Sequence, residues 1–216
     1  MDRLILIWVA TTAVRRQSPV VEFESGSQIL KEWGMQLNGS HYDRVAAGFK
    51  RVFGSTIFFG TQDERQGAAV WDCGRIHFFD QMRLWLRAAE RRSGRTNLLT
   101  LSEPFWSELK AHPIPVDCEV VRGLANNPGC LDLYTWLSWR CFQAKGSERV
   151  PLFGPCGLTS QLGVQEYSRE RKFRERLNIW LDLVRLYWPE CPAYVAKNGA
   201  FLELNRAMSV IPRRIA

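Results

Sequence analysis

Apolar residues recur at helical spacing at both ends of this chain and alternate in short runs between. Residues 3–17 read as a helix, with Leu4, Trp8, Thr11 and Arg15 on one side and Ser18-Pro19 ending it. Residues 20–23 alternate like a short strand. A short helix over 28–33, capped from Gly26-Ser27 and closed by Gly34, leads to a second helix over 41–53. Ser40 is its expected cap, and Val45, Phe49 and Val52 share one face. Residues 55–60 read as a strand, 61–67 as a polar loop and 68–73 as the returning strand. Gly74 is expected to break it before 75–79. The stretch 81–92 fits either a helix or a continued strand, and Arg91-Arg92-Ser93-Gly94-Arg95 reads as a linker.

Residues 98–101 read as a strand and 103–110 as a helix stopped by His112-Pro113. Asp117 caps a helix over 119–125, and Pro128 starts one over 131–142. The order then repeats: a short helix over 157–162 closes at Gly163. Ser168 caps a long helix over 169–188, stopped by Pro189 and Pro192. Residues 193–196 and 200–204 form a hairpin around Lys197-Asn198-Gly199. Strand, helix, turn, helix, hairpin is the order of a winged helix. The expected fold is therefore α+β: two tandem winged-helix domains, mostly helical with small hairpin wings, over 1–95 and 96–216. They share architecture without sharing sequence.

Composition supports folded domains. The 216 residues are 46% hydrophobic, 12% aromatic and 24% charged, enough to fill a core and too few charges for disorder. The net charge of +7 is spread over both halves: 14 Lys+Arg face 10 Asp+Glu in the first hundred residues, and 15 face 12 in the rest. A mostly arginine excess in folded domains suits phosphate and base-edge contacts. The N-terminal apolar run is about seven residues, too short to span a membrane and without a small-x-small cleavage site, so it reads as a buried helix. A core helix starting at residue 1 carries the expectation that the first domain is shortened, or completed by something upstream. Six scattered cysteines with no CxxC read as reduced thiols of a cytoplasmic protein, and the three isolated histidines offer no zinc site.

The long C-terminal helix carries the chemistry. Phe173, Leu177, Trp180, Val184 and Tyr187 form its apolar stripe. Arg169, Lys172 and Arg176 fall on another face, flanked by Arg171 and Arg174. Five bases and two acids occupy 168–176. Cations at a helix N-terminus oppose the macrodipole, a conflict that an anionic partner relieves, and guanidinium forks can read guanine. The competing reading is a solvated face with i, i+4 pairs such as Arg171–Glu175. Lys197 and Asn198 would support as a wing. In the first domain Arg44, Lys50 and Arg51 are the weaker candidates, because the last two lie in the final turn, where the dipole accepts cations. The aromatic set Tyr134, Trp136, Trp139 and Phe142 reads as core rather than as base-stacking platforms. Signatures of phosphate loops, metal-dependent nucleases and nucleophilic triads are absent, so neither enzyme activity nor a cofactor is expected.

The segment 112–140 contains His-Pro-Ile-Pro-Val-Asp and then Leu-Asp-Leu-Tyr-Thr-Trp-Leu-Ser-Trp-Arg. With Leu-Ile-Leu-Ile-Trp-Val-Ala-Thr-Thr-Ala-Val at 4–14, Leu162-Gly163 and 173–181, it resembles the RepA-type plasmid replication initiators of bacteria over nearly the whole chain. The resemblance implies a protein that binds repeated sites in double-stranded plasmid origin DNA, opens the duplex and recruits host replication proteins. It also implies labour divided between two winged helices, one reading DNA and one supporting a homodimer. Two departures stand out: Met1 falls almost at the Leu-rich helix, and 151–157 is richer in Pro and Gly than the family's approach to its second helix. The rival functions are a repressor acting on its own promoter and an interaction module without DNA contact.

Overall fold

The computed structural model describes residues 1–65, 68–85, 96–164 and 170–207. Helices and small antiparallel sheets divide into two compact units, Met1–Pro113 and Ile114–Ala216.

The first unit opens with α1 (Asp2–Arg16), followed by β1 (Val20–Phe23), α2 (Gly26–Glu32) and α3 (Gly39–Phe53). The buried face of α1 is Leu4, Ile5, Trp8, Val9 and Ala13, not the face through Thr11 and Arg15 expected from spacing. Asp2 in its first turn and Arg15-Arg16 in its last match the helix dipole. Asn38, rather than Ser40, caps α3 by accepting from the His41 amide at 2.9 Å. Phe49 of α3 stacks on Phe23, which meets Trp8 edge-on with ring centroids 5.1 Å apart, so one aromatic cluster joins both helices to the sheet.

Strands β2 (Thr56–Arg65) and β3 (Ala68–His77) form a sheet of their own. Two expectations fail here. Most of the stretch expected as a loop is strand up to Arg65, and Gly74 pairs with Phe59 inside an unbroken β3. Backbone pairing overrides the local turn signals once each residue has a partner across the ladder.

The remaining strands, β4 (Phe79–Arg83) and β5 (Asn97–Leu101), join β1 in the order β1-β5-β4. The boundary expected at 95/96 is thereby displaced to 113/114. β5 pairs with β1 on one side and β4 on the other, and Phe105 of α4 (Glu103–Ala111) packs edge-on against Phe78, 5.0 Å between centroids. The expected linker 91–95 lies outside the described residues; the strands on either side of it belong to one sheet. Asn97 is buried at the start of the central strand β5. Its amide group donates to the carbonyls of Phe23 and Glu24, and its carbonyl oxygen accepts from the Trp85 amide, so no polar atom is stranded there.

In the second unit, α5 (Cys118–Leu124) and α6 (Pro128–Gln143) precede β6 (Glu148–Pro151), α7 (Leu158–Gln161), α8 (Glu170–Tyr187), β7 (Ala193–Val195) and β8 (Phe201–Leu204). Asp117 caps α5 and Pro128 sits in the first turn of α6, as the sequence predicts. The sheet order β6-β8-β7 repeats that of the first unit: the last strand lies between the other two. Gly123 and Gly129 let α8 approach closely. A Cβ at Gly129 would sit 2.3 Å from the Trp180 ring, and one at Gly123 would sit 2.4 Å from the Tyr187 ring. Phe173, Leu177, Trp180, Leu181 and Val184 bury the stripe of α8, whereas Tyr187 stays 45% exposed. Of the aromatic set on α6, Tyr134 and Trp136 are core, Trp139 is half-buried and Phe142 is exposed.

Candidate nucleic-acid interface

The basic turns of α8 sort into two kinds of cation. Helical spacing brings residues four apart together, and two acids hold two of the arginines. Arg174 Nη2 donates to Glu170 Oε2 at 2.8 Å, and Arg171 Nε lies 3.5 Å from Glu175 Oε1. The Arg171–Glu175 pair is thus the solvated-face pair that competes with DNA reading, and both its side chains are well exposed. Lys172 and Arg176, by contrast, are exposed and have no ion-pair partner among the described residues. Arg169 and the expected cap Ser168 lie outside the described residues.

The β7–β8 turn comes to the same end of α8. Gly199, with φ +64°, adopts the left-handed geometry that the Asn-Gly turn predicts. Asn198 Oδ1 accepts from the Ala200 amide at 3.0 Å, and the Gly199 amide donates to the Ala196 carbonyl at 2.8 Å. The Gly199 carbonyl accepts from Arg174 Nε at 2.6 Å. That bond sets exposed Lys197 and Asn198 beside the first turns of α8. The arrangement presents exposed cations from a helix and a turn, a combination suited to phosphates along a groove edge.

Sequence reasoning missed Phe153. Its ring lies under the Arg174 guanidinium, 5.0 Å from centroid to Cζ, and meets buried Phe173 edge-on at 5.7 Å. The signal was present in the Pro- and Gly-rich stretch 151–157, where Gly154 turns the chain with φ +96° and its carbonyl accepts from the Gly157 amide.

In the first unit, Arg44, Lys50 and Arg51 are all exposed on α3. Arg44 and Arg51 line a surface depression with Met1, Gly39, Ser40, Asp43 and Ala47. Arg51 is engaged by α1: its Nε and Nη2 donate to the two oxygens of Asp2 at 2.8 and 2.7 Å. The Arg51 hydrogen bonds hold the Asp2 carboxyl below the usual carboxylate range. The structure does not bring these residues together with the α8 set within one unit.

All six cysteines are free thiols. Among the described residues no cluster of three or more His, Cys, Asp or Glu could hold a metal ion, and no helix is long and apolar enough to cross a membrane.

Residues 1–151 match the family described as plasmid-encoded RepA protein. No curated protein matches the chain. The fold is similar to a crystal structure of RctB domains 2–3 with a TM-score of 0.57 and 13% identity, covering 95% of this chain and 81% of that one. It is similar to selenomethionine derivatives of domains 2 and 3 of RctB with the same TM-score and identity, covering 84% and 67%. The first of these likenesses spans both units, and with residues 1–151 inside the family match, the chain belongs to the plasmid-encoded RepA protein family.

Proposed function

We propose that this protein is a non-enzymatic replication initiator. It binds repeated sites in double-stranded plasmid origin DNA, and each unit is a winged helix. In the second unit α8 enters the major groove and the β7–β8 turn acts as the wing on the flanking backbone. The observation that carries the reading is the pair of exposed cations Lys172 and Arg176, without an ion-pair partner among the described residues, on the helix that precedes a hairpin whose turn offers Lys197. Family membership supplies the initiator role. Binding energy rather than nucleotide hydrolysis strains an adjacent AT-rich segment, and no cofactor takes part. The first unit supports a homodimer, and host replication proteins join the opened complex in the bacterial cytoplasm.

The test is a titration of duplexes carrying direct repeats, one inverted repeat or unrelated sequence, at several salt concentrations. Tight, salt-dependent binding of the repeats is expected, with Lys172→Ala and Arg176→Ala each costing about 1–3 kcal/mol. Each lost phosphate contact should flatten the salt slope by about 0.9. Preference for the single inverted repeat would favour an autoregulatory repressor. Unchanged affinity in both variants, or salt-insensitive binding, would remove α8 as the reading element.

A further inference from the structure

We infer that Arg174 is a positioning residue: it latches the β7–β8 turn onto α8, with Phe153 as its platform, and so fixes the wing for DNA rather than reading DNA itself. The inference rests on the DNA-binding reading above.

Three segments meet at this side chain. Arg174 Nε reaches the Gly199 carbonyl at 2.6 Å, Nη2 reaches Glu170 at 2.8 Å, and the flat face rests over Phe153. The guanidinium's edge and face are thus already committed inside the unit, and the side chain is only 35% exposed. The fit to the turn is close: a Cβ at Gly199 would lie 3.3 Å from both Cδ and Nε of Arg174, on top of the strain that φ +64° imposes on other residues. The neighbour of Phe153 ties down the other side of the turn, since the Leu152 amide donates to the Ala200 carbonyl at 2.9 Å. The turn is therefore pinned on both flanks, by the helix through Arg174 and by the β6–α7 loop through Leu152. The Pro- and Gly-rich stretch 151–157 acquires a purpose, because it is what places residues 152 and 153 at this junction.

The physical benefit is preorganisation. A wing held before binding need not be ordered during it, so Lys197 contributes more of its contact energy. The geometry also requires arginine. Lysine carries the same charge but offers a point donor, with no planar fork to span a carbonyl, a carboxylate and a ring face.

The experiment combines Arg174→Gln, Arg174→Lys, Lys197→Ala and the Arg174→Gln/Lys197→Ala double variant, with melting to confirm folding. Duplex affinity and amide hydrogen exchange at 198–200 are read on the full chain. A latch predicts losses of about tenfold for both Arg174 variants and for Lys197→Ala, with the double variant no weaker than Arg174→Gln alone. Exchange at 198–200 should quicken in both Arg174 variants. Full affinity in Arg174→Lys would mean a simple phosphate contact and would overturn the latch. So would multiplying losses in the double variant, or unchanged exchange in the turn. A parent protein that binds no duplex sinks the interface itself, whereas a parent that binds while Arg174→Lys stays at full affinity sinks the latch alone.

Discussion

The two units place a long helix in the same topological slot and then use its surface differently. In each, a strand, a short helix and a long helix lead to a sheet whose last strand is central. In each, the long helix anchors through a fully buried phenylalanine, Phe49 in α3 and Phe173 in α8. The exposed faces diverge. α3 surrenders Arg51 to a carboxylate on α1, while Lys172 and Arg176 of α8 meet no acid among the described residues and Arg174 bonds to a turn. The first unit also inserts the β2–β3 ribbon between its long helix and its sheet hairpin, where the second passes directly from α8 to β7. Burial constrains inward positions in both units alike. Outward positions are free to differ, and it is there that the two long helices diverge.

The largest expected effect tests the likeness. Phe49→Ala and Phe173→Ala should each destabilise their own unit by about 3–5 kcal/mol, read by denaturant unfolding. Parent-like unfolding of either variant would show that the two helices are not equivalent anchors.

The next tests the difference. Arg44→Ala with Lys50→Ala in α3 should cost less than about 1 kcal/mol of duplex affinity, against roughly 1–3 kcal/mol for each of Lys172 and Arg176. Equal losses from the two helices in a matched-salt titration would erase the division of labour.

The smallest concerns alkaline stability. Burial pushes the Cys130 thiol up to about 11, the Cys141 thiol to about 12 and the Tyr134 hydroxyl to about 12. In the unfolded chain a thiol ionises near 8.5 and a tyrosine near 10. Above those values the unfolded chain binds fewer protons than the folded one, so stability falls as pH rises. A loss of about 1–2 kcal/mol between pH 7 and 9 is expected from the two thiols, confined to the second unit. Unfolding midpoints across that range, followed by exchange in each unit, check it. A loss shared by both units would point away from these groups.

Much of this was legible along the chain. Stripes of apolar residues located the long helices, Asp117 and Pro128 marked the starts of α5 and α6, and Asn198-Gly199 marked the hairpin turn. Such signals act within a few residues, so sequence spacing alone carries them. The first-unit hairpin was harder to read. Gly74 and the polar stretch after Thr61 looked like breaks, yet a ten-residue strand on each side satisfies their backbone groups. The domain boundary was misplaced because a Gly- and Arg-rich segment resembles a linker, and only the pairing of β4 with β5 assigns both flanking strands to one sheet.

The sequence by itself determined the mixed helix-and-strand class, the buried stripe of α8 and the basic character of its first turns. Periodicity and charge are properties of the order of residues. Tertiary structure alone decided what each cation does. Arg51 meets Asp2 across 49 positions of chain, and Arg174 meets Gly199 across 25. Which charges remain available to a partner depends on such distant encounters, because an ion pair or hydrogen bond forms by distance in space and not by separation along the chain.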